Sequence, residues 1–367
     1  MSEKYKQEQD LLKTLKIKDI EKELPFFFTQ FMISIQNSKS VNTQLNYARR
    51  IYLFLKWLTT EHEFSKGKSI KELSSEDLES VTFQDADMYA YFIKTHSLNS
   101  NGTFYLKNSK PTTINAYISA VSSLYKRLYR LNIVNNNPFE GIERAKINEE
   151  PKIRLDEIDS ELFFSTLKNG NGLSKHMNDY RETNNTVLRD ICICSILNST
   201  GIRVSELVGL DVSDIDLERC RFCVIRKGGK TEYVYFSDNL KEIIEEYLEI
   251  RPLFHPSEND DALFLRTQGM KYDRDNEGNF TENISDDKRI SVRSIQRIVK
   301  KYAVASAIVD SSKFTPHKFR HTYATNMLKA TGNLALVKKE LGHTSIQSTT
   351  VYAEADDTDK KNARNIL

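Results

Sequence analysis

Six side chains in the second half of the sequence are of the types that act on phosphate esters. They are Arg203, Lys227, His317, Arg320, His343 and Tyr352. His317 and Arg320 are three residues apart in an expected helix, so they share one face of it. Tyr352 follows His343 by nine residues, near the end of the chain. Guanidinium, imidazole and phenol groups in this order indicate an enzyme that attacks a phosphodiester with a nucleophilic side chain.

Each residue type has a role in such an attack. Charge builds on the equatorial oxygens of the phosphate, and the planar, bidentate guanidinium groups of Arg203 and Arg320 are suited to stabilise it. Tyr352 is the expected nucleophile, and its phenol, with a pKa near ~10, needs a cationic surround and a proton acceptor. The leaving deoxyribose 5′-oxygen needs a general acid, for which a lysine in a hairpin turn is suitable. Lys227 and Lys230 both flank the Gly-Gly pair and are both candidates for this acid.

The two histidines, His317 and His343, are expected to orient the phosphate and to help move the tyrosine proton. Glu206 is expected to be a structural partner of nearby cations rather than a catalytic acid. A covalent phosphotyrosine keeps the energy of the broken bond, so neither a nucleotide nor a metal cofactor is expected. Taken singly, each of these residues is also typical of packing or of a surface charge, and it is their conjunction that favours catalysis.

The four cysteines raise the alternative of a zinc site. Cys192 with Cys194, and Cys220 with Cys223, could together supply four thiolates. However, residues two apart in a helix point away from each other, and the neighbours of Cys192 are apolar and typical of a core. We therefore expect no metal. Four cysteines in 367 residues also do not make a disulfide framework, which favours a reducing cytoplasm.

The elements around these residues are mainly helical. Apolar residues recur at helical spacing over 42–62 and 112–131, with shorter helical patterns over 25–36 and 82–94. Residues 97–103 are expected to form a polar connection. In the second half, helices are expected over 156–167, 188–200, 292–307, 316–329 and 334–341. Alternating runs at 221–226 and 232–236 flank a Gly-Gly pair and predict a β-hairpin. The polar segments 169–185 and 267–287 are expected to be surface insertions.

Acidic residues are missing from two parts of the first half, 25–60 and 88–139, although basic residues are present there. The predicted helices over 42–62 and 112–131 therefore have polar faces of Arg, Lys, Asn and Ser, which suit DNA phosphates. A merely solvated face is the alternative, but it normally mixes both signs of charge. The candidate DNA-binding residues are Arg49, Arg50, Lys56, Lys126, Arg127 and Arg130.

The bulk composition sets wide limits. The chain carries 53 basic and 51 acidic residues, so its net charge of +2 does not by itself indicate a nucleic-acid partner. A length of 367 residues is enough for two domains. The first residues mix Lys with Glu and Asp and lack an apolar signal core, and no long apolar run predicts a membrane span. We expect a cytoplasmic protein.

The segments around the six residues resemble the Arg, Lys, His-x-x-Arg, His and Tyr motifs of the tyrosine recombinase (phage integrase) family. The spacing of the lysine from the arginine in that family favours Lys227 over Lys230 as the general acid. The resemblance is greatest to Xer recombinases, especially the single Xer proteins of Gram-positive bacteria. It implies a mainly α fold, with a helical core-binding domain over 1–147, a linker over 148–153 and a mixed α/β catalytic domain over 154–367. The catalytic domain would be mostly helical with a small antiparallel sheet.

The resemblance also implies double-stranded DNA with a specific recombination site as partner, and a homotetramer acting on two such sites through a Holliday junction. An accessory division protein or element-encoded protein is a further expected partner. The apolar residues Ala363, Ile366 and Leu367 in the last nine positions are too few for a stable isolated helix. This tail must dock on its own domain or on the next protomer, and the resemblance favours the neighbour.

Several related functions remain open from the sequence. Chromosome dimer resolution is favoured, and integration or excision of a mobile element with the same chemistry is the alternative. A type IB topoisomerase and a catalytically inactive DNA-binding protein are the further alternatives. The inactive protein is disfavoured because none of the six expected side chains is missing.

Overall fold

The computed structural model describes residues 3–99, 101–148, 155–226, 228–256, 261–267, 271–274, 280–283, 288–308 and 310–342. It divides the chain into two compact units. The N-terminal unit is Gln7–Glu150, and the C-terminal unit is Pro151–Leu367 together with Met1–Lys6. Both are built mainly from helices, and both contain small antiparallel sheets. The predicted fold class is therefore confirmed.

Helices dominate the first part of the chain. The elements are α1 (Glu3–Lys22), α2 (Phe26–Gln36), α3 (Val41–Glu61), α4 (Ser75–Glu79), α5 (Phe83–Thr95), β1 (His96–Leu98), β2 (Phe104–Leu106) and α6 (Pro111–Arg130). Helices α4 and α5 begin with reciprocal capping boxes, in which Ser74 pairs with Asp77 and Thr82 pairs with Asp85. Pro111 begins α6, where a missing backbone N–H costs nothing.

Aromatic rings form the centre of the N-terminal unit. Phe54 of α3 is fully buried, and its ring centroid lies 5.1 Å from that of Tyr89, 6.1 Å from Tyr125 and 5.4 Å from Phe139. Edge-to-face pairs of this kind add to the free energy that burial supplies. Because Phe139 follows α6, the chain beyond the last helix of this unit also belongs to its core.

The second part of the chain alternates helices with short strands. The elements are α7 (Glu157–Asn169), α8 (Lys175–Thr183), α9 (Thr186–Thr200), α10 (Val204–Val208), β3 (Ile215–Asp216), β4 (Arg221–Ile225), β5 (Thr231–Tyr235), α11 (Asp238–Ile250), β6 (Lys271–Arg274), β7 (Phe280–Asn283), α12 (Val292–Ala305), α13 (Pro316–Thr331) and α14 (Leu334–Glu340). Helix α9 is almost wholly buried and packs against α7, α11 and α13.

A three-stranded antiparallel sheet, in the order β3-β4-β5, carries the predicted hairpin. Phe222 of β4 pairs with Val234 of β5, and both are buried on the core side. Gly228 and Gly229 have φ angles of +98° and +88°, a conformation that favours glycine. The predicted pairing of the two strands around the Gly-Gly pair is confirmed.

The structure differs from the sequence-based predictions in four respects. Helices α1 and α11 were not predicted, although α11 buries Leu240, Ile244 and Tyr247 at helical spacing. Residues 97–103, predicted to be a polar connection, contain parts of the β1–β2 hairpin. The predicted insertion at 267–287 contains the paired strands β6 and β7.

The fourth difference concerns residues 169–185. The segment contains helix α8, which was not predicted, and buries Arg181 to 2% exposure, although most of its residues are exposed as expected for a surface segment. Arg181 Nη2 donates to the carbonyl oxygens of Leu167 and Lys168, so it caps the end of α7. In the described ranges, no helix is long and apolar enough to cross a membrane.

Candidate active site

Arg203 lies in the short connection between α9 and α10 and caps the start of α10. Its backbone N–H donates to Oε2 of Glu206 at 2.9 Å, and its Nη1 donates to Oε1 of the same carboxylate at 2.8 Å. The Arg203 side chain is 28% exposed, whereas that of Glu206 is 3% exposed. Glu206 is thus a structural partner that holds Arg203 at both ends and leaves its guanidinium at the surface.

Gly201 ends α9 in the left-handed conformation, with φ of +61°. A Cβ at this residue would lie 2.5 Å from Cδ1 of Tyr323 and 3.2 Å from Cδ2 of Leu341. Both the backbone angle and the close neighbours therefore require glycine here. The turn places Arg203 two residues beyond a point where α9, α13 and the end of α14 meet.

Arg320 is on α13 and is 2% exposed. Its Nη1 donates to the carbonyl oxygen of Gly201 at 2.7 Å, and its Nη2 donates to that of Leu341. His317 is one turn earlier on the same helix and is exposed. The structure therefore brings three of the predicted side chains, Arg203, His317 and Arg320, to one place in the C-terminal unit.

The imidazole of His317 lies in a cationic environment. Partial desolvation lowers its pKa below the ordinary value of 6.5, and the nearby charges of Arg320, Lys318 and Arg203 lower it further. The ring centroid of His321 is 4.7 Å away in an edge-to-face arrangement. These surroundings therefore favour the neutral form of His317, in which one ring nitrogen is a hydrogen-bond acceptor.

The other three predicted residues, Lys227, His343 and Tyr352, lie outside the described residues. Their neighbours in the chain, Arg226 and Gly342, are described. The alternative lysine, Lys230, donates to Oε1 of Glu232 at 2.7 Å and is 77% exposed. That contact lowers the pKa of Glu232, and Arg226 contributes to the same shift.

Arg226 was missed by the sequence-based reasoning. It follows the last residue of β4, and its side chain is 5% exposed. Its Nη1 donates to Oε2 of Glu206 at 2.9 Å, so one buried carboxylate binds both Arg203 and Arg226. The signal in the sequence was an arginine at a strand end, directly before the candidate lysine.

The basic residues of α3 do not form one uniform patch. Arg49 is exposed and Lys56 is half-buried. Arg49 lines a groove together with Asp19 of α1 and with Glu23, which follows that helix, so acidic residues from outside α3 share this groove. The guanidinium carbon of Arg50 lies 5.9 Å from the ring centroid of Tyr117 on α6, so this arginine packs within the N-terminal unit.

On α6 the polar face is partly covered by the chain's own residues. Asn115 Nδ2 donates to the carbonyl oxygen of Ala145, and Arg144 Nη1 donates to Ser119 Oγ at 3.2 Å. Ser122 accepts from Asn137 at 3.1 Å. Further along the helix, Lys126 and Arg130 are exposed and Arg127 is half-buried. The open basic surface of α6 is therefore its last two turns, beyond the part that the 137–145 segment covers.

Helix α12 adds a basic surface that the sequence-based reasoning did not assign. The helix has no acidic residue, and Arg293 and Arg297 are exposed one turn apart. Its opposite face buries Ile295, Val299 and Tyr302 in the core. The acid-free pattern used for the first half of the chain could have found this helix as well.

The four cysteines are free thiols, with Cys192 and Cys194 buried in the core and Cys220 and Cys223 half-buried. Burial raises the pKa of the Cys192 and Cys194 thiols, so they are poor metal ligands as they stand. Within the described ranges, no three His, Cys, Asp or Glu side chains are grouped closely enough to hold a metal ion.

The site and fold correspond to a known class of DNA-processing enzymes. The profile of the phage integrase family matches residues 151–359, which is more than half of the chain. The chain therefore belongs to the phage integrase family and is a tyrosine recombinase.

Relatives of similar length extend the likeness to both units. The chain is 31% identical over 379 residues to the tyrosine recombinase XerS of Streptococcus thermophilus, covering 95% of this chain and 97% of the relative. It is 29% identical over 362 residues to XerS of Lactococcus lactis subsp. cremoris, covering 94% and 95% of the two chains.

Solved structures show the same fold at lower identity. The XerH site-specific recombinase bound to palindromic difH substrate matches with a TM-score of 0.61 and 18% identity, covering 89% of this chain and 80% of that one. The integrase of the Tn1549 transposon, in complex with circular intermediate DNA, matches with a TM-score of 0.58 and 19% identity. That match covers 91% of this chain and 98% of the other.

Proposed function

We propose that this chain cuts and rejoins DNA at a specific site through a 3′-phosphotyrosyl intermediate on Tyr352. The observation that carries the proposal is the contact from Arg320 to the carbonyl oxygen of Gly201, two residues before Arg203. This contact ties together two arginines that are far apart in the sequence, and His317 lies beside them. A paired cationic site of this kind suits the negative charge of a phosphodiester under attack.

In the proposed step, Tyr352 Oη forms a bond to phosphorus while the bond from phosphorus to the deoxyribose 5′-oxygen breaks. The phenol loses its proton, for which neutral His317 is an acceptor, with His343 orienting the phosphate. The leaving 5′-oxygen takes a proton from Lys227. Arg203 and Arg320 stabilise the charge on the phosphate oxygens. Attack by a 5′-hydroxyl of the other duplex reverses the same bonds and reseals the strand.

The preference for Lys227 over Lys230 gains support from the hairpin. Lys230 is paired with Glu232, and Glu232 is in turn shared with Arg226. An exposed lysine pair is weak, so this arrangement does not itself disable Lys230. It does direct the Lys230 ammonium towards β5, whereas Lys227 directly follows the buried Arg226 in the sequence.

Both units are proposed to contact DNA. In the N-terminal unit, proposed to be the core-binding domain over 1–147, the open candidates are Lys126 and Arg130, with Arg127 beside them. In the catalytic domain over 154–367, Arg293 and Arg297 of α12 offer a second acid-free surface. Arg49, Arg50 and Lys56 remain candidates, although Asp19 and Glu23 line the same groove as Arg49. Basic, acid-free faces are what phosphate contacts require.

For the biological role we propose chromosome dimer resolution in the cytoplasm. Support comes from the XerS name of relatives that match along nearly their whole length. Integration or excision of a mobile element uses the same chemistry, and a transposon integrase shares the fold. Trapping the covalent DNA in cells and sequencing it distinguishes the two, because the first role predicts a chromosomal site and the second predicts element ends.

The proposed assembly is a homotetramer on two DNA sites. Recombination cuts two strands in each of two duplexes, and each chain supplies one Tyr352, so four protomers are needed. The tail at 359–367 lies outside the described residues and is proposed to link neighbours. Deleting it should spare binding of one protomer to a half-site and impair cooperative filling and strand exchange. Unimpaired recombination by the truncated chain would exclude that role.

The chemistry is tested by adduct formation on a nicked suicide substrate, in which the released strand diffuses away and resealing is prevented. The parent chain should form a covalent protein–DNA adduct, and Tyr352→Phe should bind the same DNA with no adduct. Tyr323→Phe is the matched control, since Tyr323 packs on Gly201 and is not a proposed nucleophile. An undiminished adduct with Tyr352→Phe would exclude Tyr352 as the nucleophile.

A further inference from the structure

Arg226 binds three different elements of the C-terminal unit with three different nitrogens. Its Nε donates to Oε2 of Glu232 on β5 at 3.2 Å. Its Nη1 donates to Oε2 of Glu206 on α10 at 2.9 Å, and its Nη2 donates to the carbonyl oxygen of Glu340 at the end of α14 at 2.6 Å. This nearly buried guanidinium therefore links the β4–β5 hairpin, helix α10 and the end of helix α14.

Two further contacts place this guanidinium beside residues of the candidate active site. Glu206, which accepts from Arg226, also accepts from Arg203 at 2.8 Å. A Cβ at Gly342 would lie 3.1 Å from Cδ and from Nε of Arg226, so the backbone at this glycine packs directly on the arginine side chain. Gly342 has φ of +58° and immediately precedes His343 in the chain.

We propose that Arg226 is a positioning residue for the cleavage step. Arg226, directly after β4, and Arg203 both donate to the Glu206 carboxylate. Arg226 therefore fixes the end of β4, which precedes Lys227 in the chain, relative to Arg203. This inference rests on the proposed function, since it assigns Arg226 to the step in which Lys227 protonates the leaving oxygen. Arg226 is not proposed to touch DNA, because its nitrogens are directed at acceptors within the protein.

The side-chain type matters for this role. A guanidinium is planar and offers donors in a fixed fork, so its three nitrogens hold three acceptors at set angles. An ammonium is a compact point charge and does not reproduce that fork. The Glu206 carboxylate is also buried, and a buried charge needs close partners to offset its lost hydration. Arg226→Lys therefore keeps the charge near Glu206 and removes the geometry.

The test uses the full chain and two nicked suicide substrates. One has the ordinary phosphodiester at the cleavage point, and the other has sulfur in place of the bridging 5′-oxygen. A thiolate leaves at a much lower pKa than an alkoxide, so the sulfur substrate does not need a general acid. The variants are Arg226→Lys and Arg226→Gln. Arg219→Gln is the matched control, because Arg219 is paired with Asp216 at the same sheet and is 66% exposed.

With the ordinary substrate, Arg226→Lys should form the adduct about 100-fold more slowly, the size of loss that a small misplacement of a reacting group causes. With the sulfur substrate, the loss should shrink to about 10-fold or less, because the step no longer depends on the placed acid. Half-site affinity should be unchanged, and rates should be measured well below the melting temperature of each variant. Arg219→Gln should match the parent on both substrates.

The outcomes separate the inference from the proposed function. An Arg226→Lys chain that cuts the ordinary substrate as fast as the parent would overturn the inference. Equal losses on both substrates, or losses that disappear when the fraction of folded protein is corrected for, would assign Arg226 a purely structural role and overturn it as well. If the parent chain forms no adduct on either substrate, it is the proposed function that fails.

Discussion

The ring of Tyr323 occupies the space that a side chain at residue 201 would need, with its Cδ1 atom 2.5 Å from the position of a Cβ there. Gly332 offers a matched comparison. It ends α13 with the same φ of +61°, and nothing lies within 4 Å of the corresponding Cβ position. The two glycines therefore share a backbone conformation and differ in their surroundings.

We predict that Gly332→Ala lowers the free energy of unfolding by about 1–2 kcal/mol, the cost of left-handed backbone for alanine. Gly201→Ala should cost about 1–3 kcal/mol more, since Tyr323 and Leu341 must also move. Gly201→Ala should in addition slow adduct formation, because Arg203 and Arg320 are both placed by this turn. Urea unfolding and suicide-substrate kinetics measure the two effects. Equal losses of stability for both variants would show that the packing around residue 201 accommodates a methyl group without cost, which would contradict the prediction.

The pH dependence of cleavage should reflect His317. Its pKa lies below 6.5, and the neutral ring is the form that accepts a proton, so the cleavage rate should fall as the pH drops through that pKa. Lys318→Gln removes one of the cations that disfavour protonation. The pKa of His317 should then rise, and the acid limb of the rate profile should move to higher pH.

Lys329→Gln is the control for that experiment. It removes a lysine from the same helix, and twelve residues from His317 correspond to about 18 Å along α13. Its acid limb should coincide with that of the parent. A limb that shifts equally in both variants, or that persists unchanged in His317→Asn, would assign the titration to another group.

DNA affinity should depend on two separate basic surfaces. Replacing Lys126 and Arg130 together by alanine should weaken half-site binding and reduce the slope of log K against log salt by about 2, if each contacts one phosphate. Replacing Arg293 and Arg297 together should have a similar effect. Binding measured across a salt series provides the slopes. Arg49→Ala should change the slope less than Lys126→Ala alone, because Asp19 and Glu23 line the same groove as Arg49. The reverse ranking would place α3, and not the end of α6, on the DNA.

Cleavage and rejoining should continue in excess chelator and without ATP. The proposed stabilising charges are guanidinium groups on the protein, and a phosphotyrosine retains the energy needed for resealing. Adduct formation and ligation in the presence of EDTA measure this directly. Complete loss of both, restored by adding a divalent metal, would contradict the proposed chemistry.

Several features of this molecule could be predicted from the sequence because local rules determine them. The start of α13 at Pro316 and the three-residue spacing of His317 and Arg320 depend on helix geometry alone. The Gly-Gly pair likewise predicts the hairpin between β4 and β5. These predictions needed no knowledge of distant contacts.

The contacts made by Arg226, Arg181 and the 137–145 segment could not be predicted in this way. Arg226 meets Glu340 across 114 positions of sequence, and Asn115 meets Ala145 across 30. No periodic pattern in the sequence indicates such long-range pairs. A charged or polar residue that is buried by such a contact therefore looks, from the sequence, like an exposed surface residue. That is why the burial of Arg181 was not predicted and why the polar face of α6 was expected to be open along its whole length.

The distribution of the cysteines has a practical consequence for kinetic work. Cys192 and Cys194 are fully buried with raised pKa values, so alkylating reagents should leave them untouched while the chain is folded. Cys220 has φ of +46°, which asparagine tolerates well, so Cys220→Asn removes that thiol with little strain. Cys223 then remains as a single reactive position, on the side of β4 that faces away from the core and three residues before Arg226. A fluorophore attached there would report in real time on the hairpin during strand cleavage.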